Sequence, residues 1–238
     1  MKLKKRVFYT EMAYIAGLVV LAVGTAFMEK ADFGVSMVVA PAYILHLKIS
    51  EILPFFSFGM AEYTFQAILI ILTAIIMHRI KLSYLFSFIT AVLYGFILDG
   101  AIWCIGLIPV GGLVSRIVIY IIGMLLCAAG VSFLFHTYIP PEAYELFVKE
   151  ISEKYNIDIP KCKTVYDCVS CVFALILSFS FFGLWQFKGI NVGTVICALV
   201  NGSLIGVFTK IYNKLWKFED RYNHRGATEE KQVETRAD

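Results

Sequence analysis

The sequence predicts an all-α, polytopic membrane protein with six transmembrane helices. They are expected to form two inverted three-helix repeats, each with a short interfacial or re-entrant helix. Apolar residues make up 59% of the 238 positions and charged residues only 16%, which is more apolar surface than a soluble domain of this size can bury. These residues are gathered into runs long enough to cross a hydrocarbon core of ~30 Å.

Charged or turn-forming residues separate the six runs from one another. The first run follows a basic start and resembles a signal peptide, but no small-residue cleavage site follows it, so it is predicted to be the first span. The six predicted spans cover residues 12–28, 58–77, 82–108, 117–135, 165–187 and 190–208.

Two interrupted segments lie outside these spans. The first covers 33–56 and is broken by prolines and charged residues, so a short helix is predicted at about 43–53. The second follows Pro140 and Pro141, and its apolar residues recur at helical spacing over 141–155. Because proline and acidic residues both suit the first turn of a helix, this segment is predicted to be a short amphipathic helix.

The distribution of Lys and Arg predicts the orientation. With the N-terminus placed inside, the inner segments hold seventeen of these residues and the outer segments hold four. The positive-inside rule therefore favours a multi-pass protein of the cell (inner) membrane with both termini cytoplasmic.

A weak internal repeat divides the chain. Gly17 and Gly24 are matched 106 residues later by Gly123 and Gly130, and each pair lies on one helix face where it permits close packing. The motif Pro41-Ala42-Tyr43 is echoed loosely by Pro141-Glu142-Ala143-Tyr144. The predicted organisation is a first membrane repeat over 1–110, a second over 111–212 and a charged, disordered cytoplasmic tail over 213–238.

Three motifs resemble those of the YczE/YyaS/YitT-type family of bacterial membrane proteins. They are Gly17 with Gly24-Thr25, the run Lys30-Ala31-Asp32-Phe33-Gly34-Val35-Ser36, and Gly193-Thr194 with Gly202. The resemblance covers most of residues 12–208. It implies a multi-span bacterial membrane protein and supplies no substrate.

Polar residues within or beside the apolar runs are the candidates for a substrate site, because charge inside a membrane is costly and usually has a function. The alternative for Asp99 is a place at the outer interface, and Asn201 could simply bond another helix. Glu142 and its neighbour Glu145 could be solvated first-turn acids. The candidate substrate-binding residues are Glu62, Asp99, Asp167, Asn201, Pro41, Tyr43, Glu142 and Tyr144.

These features favour a transporter or permease for a small molecule, with its site between the two repeats. The alternatives are a substrate-binding membrane subunit of a larger uptake system and a non-transporting membrane factor that binds partners. The sequence contains no nucleophile elbow, phosphate loop or metal-ligand cluster, so an enzyme, a cofactor and a metal are not expected. The predicted partners are the lipid bilayer and a small-molecule substrate, and no nucleic acid.

Overall fold

The computed structural model describes residues 6–183 and 191–220, which form eight helices and two short strands. Six helices are long and apolar enough to cross a membrane, as the sequence predicts. These six are α1 (Thr10–Ala31), α3 (Phe58–Met77), α4 (Leu82–Gly106), α5 (Gly112–Leu134), α7 (Ile159–Phe182) and α8 (Val192–Leu215). Each half of the chain also contains one shorter helix: α2 (Ala40–Ile49) follows α1, and α6 (Ala143–Tyr155) follows α5.

The predicted boundaries differ most from the observed ones at the end of α8, which runs seven residues past the predicted position 208, and at the start of α7. Helix α7 starts at Ile159, six residues before the predicted span, because Pro160 occupies the first turn, where its missing N–H costs nothing. The polar residues just before the apolar run are therefore helical, which brings Lys163 into the bundle. The predicted turn after the fifth span falls within 184–190, outside the described residues.

Two strands that the sequence did not predict join the ends of the described chain. Strand β1 (Arg6–Tyr9) pairs in parallel with β2 (Trp216–Glu219). Phe8 of β1 stacks on Phe133 of α5 and on Trp216 of β2. The segment predicted as a disordered tail thus begins as the last residues of α8 and as β2, while residues 221–238 lie outside the described residues.

Helices α1 and α5 pack closely together at the glycines of the predicted repeat. A Cβ atom on Gly24 would lie 2.8 Å from the carbonyl oxygen of Gly123, and one on Gly123 would lie 2.8 Å from that of Gly24. Gly17 and Gly130 meet in the same way, at 3.1 and 2.8 Å. The prediction that these glycines allow close packing is confirmed.

The helix contacts have the same pattern in both halves of the chain. Helix α1 packs on α4 as α5 packs on α8, and α3 packs on both its neighbours as α7 does. Across the halves, α2 packs on α7 while α3 packs on α6, and α1 packs on α5. These pairs map onto one another when α1–α4 are exchanged with α5–α8.

Candidate functional site

Helix α6 begins in the interior of the bundle, beside the middle of α3. The Pro140 and Pro141 carbonyls just before it accept hydrogen bonds from Thr90, at 3.0 Å, and Ser87, at 2.6 Å, on α4. The first backbone N–H of the helix, at Ala143, donates to Oε1 of Gln66 at 2.9 Å. These bonds satisfy polar groups that a buried helix start would otherwise leave unpaired.

The other end of α6 lies beside the end of α3. Lys154 donates to the carbonyl oxygen of Ile76 at 3.3 Å, and Glu150 accepts two bonds from Lys81 at 2.6 and 2.8 Å. Helix α6 therefore runs alongside the second half of α3 only.

The segment before α2 is held in an equivalent way. The Thr194 hydroxyl on α8 donates to the carbonyl oxygen of Val35 at 2.9 Å. Thr194 lies 107 residues after Ser87, and Pro141 lies 106 residues after Val35. The same hydroxyl-to-carbonyl bond thus fixes the approach to both short helices.

A small cavity of about 20 Å³ lies where the starts of α2 and α6 meet. It has room for about one water molecule. Five pairs of lining residues stand 106 positions apart, and most of them are buried. The pairs are Leu21 with Cys127, Thr25 with Val131, Ser36 with Glu142, Val38 with Tyr144, and Val39 with Glu145, and the lining is completed by Tyr94, Lys163 and Asn201.

A buried group of charged side chains lies on one side of this cavity. Lys163 Nζ lies 3.1 Å from Glu145 Oε1 and 3.4 Å from Asp167 Oδ1. All three side chains are at most 3% exposed. Asn201 of α8 donates to Asp167 at 3.5 Å. The Lys163 ammonium group therefore forms ion pairs with two buried carboxylates.

Two further buried carboxyl groups are joined by an amide. Gln66 Nε2 donates to Glu142 Oε2 at 3.0 Å and to Glu62 Oε2 at 3.4 Å. The Tyr144 hydroxyl also donates to Glu62 Oε2, at 3.0 Å. The Oε1 atoms of both glutamates are buried and have no hydrogen-bond partner among the described residues.

Burial raises the pKa of Glu142 well above its ordinary value, and the neighbouring Glu145 and Glu62 raise it further. Gln66 and Lys163 act in the opposite direction but do not reverse the shift. The α6 start lies outside the membrane-spanning helices but inside the bundle, so water does not stabilise the ionised form. The folded protein therefore binds a proton at Glu142 more tightly than an exposed glutamate does.

The structure brings five of the predicted site residues together: three of them line the cavity, and Glu62 and Asp167 bond to residues that line it. The five are Glu62, Asp167, Asn201, Glu142 and Tyr144. The alternative of solvated first-turn acids is wrong for Glu142 and Glu145, which are 1% and 2% exposed.

The other three predicted residues lie elsewhere. Asp99 accepts hydrogen bonds from Ser57 at 2.7 Å and from the Gly59 N–H at 2.9 Å, so it caps the start of α3. Pro41 lies in the first turn of α2. The ring of Tyr43 packs edge-on against Phe58, with 4.9 Å between ring centroids.

Gln66 and Lys163 belong to the site and were missed by sequence reasoning. Gln66 lies four residues after Glu62, and Lys163 lies four residues before Asp167, so each pair shares a helix face. That spacing was the available signal. For Lys163 it was hidden, because the polar segment before the apolar run gave no sign of being helical.

The fold and this buried site define a multi-pass integral membrane protein. The chain matches the family of unknown function DUF6198 over residues 8–210 and belongs to that family. Searches of the curated proteins and of the solved structures return no match to this chain.

Proposed function

We propose that this protein is a membrane transporter for a small molecule, with its substrate site at the cavity between the two halves. One observation carries the proposal: within a helical membrane bundle, a cavity is lined by two buried carboxyl groups and a buried ammonium group, and two further buried carboxyl groups bond to residues that line it. Burying these groups costs several kcal/mol for each ion, so a purely structural bundle gains nothing from them. Intramembrane ionisable groups typically line substrate or ion pathways.

The repeated contacts support an inverted repeat. The glycine pairs, the cavity lining and the two hydroxyl-to-carbonyl bonds all recur at an offset of 106 or 107 residues. An odd number of spans in each half supports an inverted second half, and the proposal has α2 and α6 enter from opposite faces as re-entrant helices. Secondary transporters commonly bind substrate where such interrupted helices meet at the midplane.

Orientation and the finer family resemblance are part of the same proposal. The excess of Lys and Arg supports a cytoplasmic position for both termini, in the inner membrane. An engineered cysteine at Lys161 should then be labelled only from the inside, and one at Arg116 only from the outside. The resemblance to YczE/YyaS/YitT-type proteins stays a prediction, as does the division into repeats over 1–110 and 111–212.

Uptake in cells tests the transport function directly. Cells with and without the protein are compared for the uptake of a broad metabolite mixture. Two variants change the site, Lys163→Met and Glu142→Gln, and Lys161→Met serves as the control because its side chain is 78% exposed. The amount of each variant in the membrane is measured in parallel.

We expect wild-type and control cells to take up at least one metabolite that cells without the protein do not. Both site variants should lose this uptake at equal membrane abundance. If no metabolite differs, the proposal fails and a non-transporting membrane factor is favoured. Uptake that requires an ATPase co-purified in mild detergent would instead indicate a subunit of a larger uptake system.

A further inference from the structure

The buried site holds more carboxyl groups than its cations can neutralise. Among the described residues, Lys163 is the only cation in contact with these carboxyl groups, and it is already shared by Glu145 and Asp167. Because Lys163 is paired with Glu145 and Asp167, Glu62 and Glu142 have no cationic partner among the described residues. Two ionised carboxylates held this close without a cation would repel each other, and both would lack hydration.

The orientation of Gln66 shows which groups face the two glutamates. Its Oε1 accepts the Ala143 N–H, which can only donate, so the NH₂ end must point at the carboxyl groups. Its two N–H bonds are then divided between Glu142 and Glu62. These neutral donors can orient the carboxyl groups but cannot neutralise two charges.

The remaining neighbours do not supply a charge either. The titratable groups that face the pair are Tyr14 from α1, Tyr94 from α4, Cys127 from α5, Tyr144 and Glu145 from α6, and Lys163 from α7. Tyrosine and cysteine are neutral near pH 7, since their ordinary pKa values are about 10 and 8.5. Lys163 acts on the pair only through space.

Both glutamates keep one oxygen free for a proton. Within the part of the chain that the structure describes, Oε1 of Glu62 and Oε1 of Glu142 are buried without a hydrogen-bond partner. Glu142 also lines the cavity, which has room for about one water molecule. A protonated Oε1 could donate to such a water. The described residues include no group of three or more His, Cys, Asp or Glu side chains suited to a metal ion. A proton needs only one oxygen.

We propose that Glu62 and Glu142 share an exchangeable proton, and that its binding and release are coupled to transport. A carboxylate takes up H⁺ from water when the cavity faces one side and returns H⁺ to water when it faces the other. The coupling rests on the proposed transport function, whereas the proton site does not.

The corresponding positions in the first half show that this site exists on one side only. Ser36, Val38 and Val39 stand where the second half has Glu142, Tyr144 and Glu145. The segment just before α2 thus brings a hydroxyl and two apolar side chains to the cavity. The two halves share a framework, but the proton-binding chemistry comes from α3 and from the start of α6.

Infrared difference spectroscopy on the purified full-length protein tests the proton site without any substrate. A protonated carboxyl group gives a C=O stretching band that a carboxylate lacks. We expect this band at about pH 6.5, roughly two units above the ~4.3 of an exposed glutamate. It should disappear as the pH is raised further. Glu142→Gln and Glu62→Gln should each remove or strongly reduce the band, and Glu153→Gln, at an exposed position of α6, should not.

Thermal unfolding at several pH values gives a second measurement on the same samples. A raised pKa in the folded state means that the folded protein binds more protons than the unfolded chain between the two pKa values. Stability is therefore fully present below the unfolded pKa of ~4.3 and falls as the pH rises towards the folded pKa. Glu142→Gln should flatten this decline, whereas Glu153→Gln should leave it unchanged.

Three results would overturn the proton site. They are the absence of the band in the wild-type protein, its persistence in both glutamine variants, and its removal by sodium at fixed pH, which would indicate a metal-cation site. A missing band together with measured uptake would leave the transport proposal standing. A band with no uptake would retain the proton site and refute transport.

Discussion

Replacing Lys163 with methionine should destabilise the protein far more than a typical lysine substitution. Lys163 is 1% exposed, and its ammonium lies 3.1 Å from Glu145 and 3.4 Å from Asp167. Methionine has a similar length but no charge, so both carboxylates would lose their partner inside the bundle. Breaking a buried ion pair by removing one partner costs about 3–5 kcal/mol.

Lys161→Met is the matched control, two residues away on the same helix. Its ammonium lies 3.2 Å from Asp158, but both side chains are more than 70% exposed. Exposed pairs of this kind contribute at most about 1 kcal/mol. In a chain of this size 1 kcal/mol corresponds to roughly 2–4 °C, so Lys163→Met should lower the Tm by on the order of 10 °C and the control by a few degrees at most.

The assay is thermal unfolding in detergent at several pH values. The deficit of Lys163→Met should shrink at acidic pH, because the stranded carboxylates then accept protons and become neutral. Lys163→Arg should retain most of the stability, since it keeps the charge. Equal Tm losses for Lys163→Met and Lys161→Met would refute the assignment of Lys163 as the buried counter-charge of this site.

Two further substitutions, together with Gly100→Ala as a control, test the packing of α1 and the position of Asp99. Gly24→Ala places a Cβ atom 2.7 Å from the Cys127 nitrogen and should lower the free energy of unfolding by about 1–3 kcal/mol. In Gly100→Ala the new Cβ atom meets nothing within 4 Å, so the free energy of unfolding should rise by up to ~1 kcal/mol. Thermal unfolding measures both. Asp99→Ala removes the Asp99 cap at the start of α3 and should lower the free energy of unfolding by about 0.5–2 kcal/mol, while metabolite uptake remains. Loss of uptake at normal membrane abundance would instead assign Asp99 to the substrate site.

The six spans could be predicted from the sequence because a membrane imposes a minimum apolar length, which is a local property. The starts of α2 and α6 were harder to predict from the sequence. The echo between Pro41-Ala42-Tyr43 and residues 141–144 suggests an offset near 100, but the cavity lining follows 106, as the glycine pairs do. Glycines that touch another backbone cannot shift, whereas short motifs at a helix start recur by chance.

The site was predicted in part for a similar reason. Acidic residues in apolar runs, such as Glu62 and Asp167, are candidate site residues because a charge inside a membrane is energetically costly. Lys163 and Glu145 lie in polar segments that a sequence pattern assigns to water. Only the inward course of α6 and the early start of α7 bury them, and both depend on contacts with distant helices. Asp99 stays a prediction, and its carboxylate bonds to a helix start within its own half.

Access to Cys127 from the two sides of the membrane tests the central claim most directly. This native thiol lines the cavity and is 2% exposed. The experiment uses a chain in which the other five cysteines are replaced, with Cys127→Ala in addition as the blank. A membrane-impermeant maleimide is added to right-side-out and to inverted vesicles. A transporter that opens this cavity alternately predicts labelling of Cys127 in both preparations. Labelling in neither would contradict a transport site between the two halves.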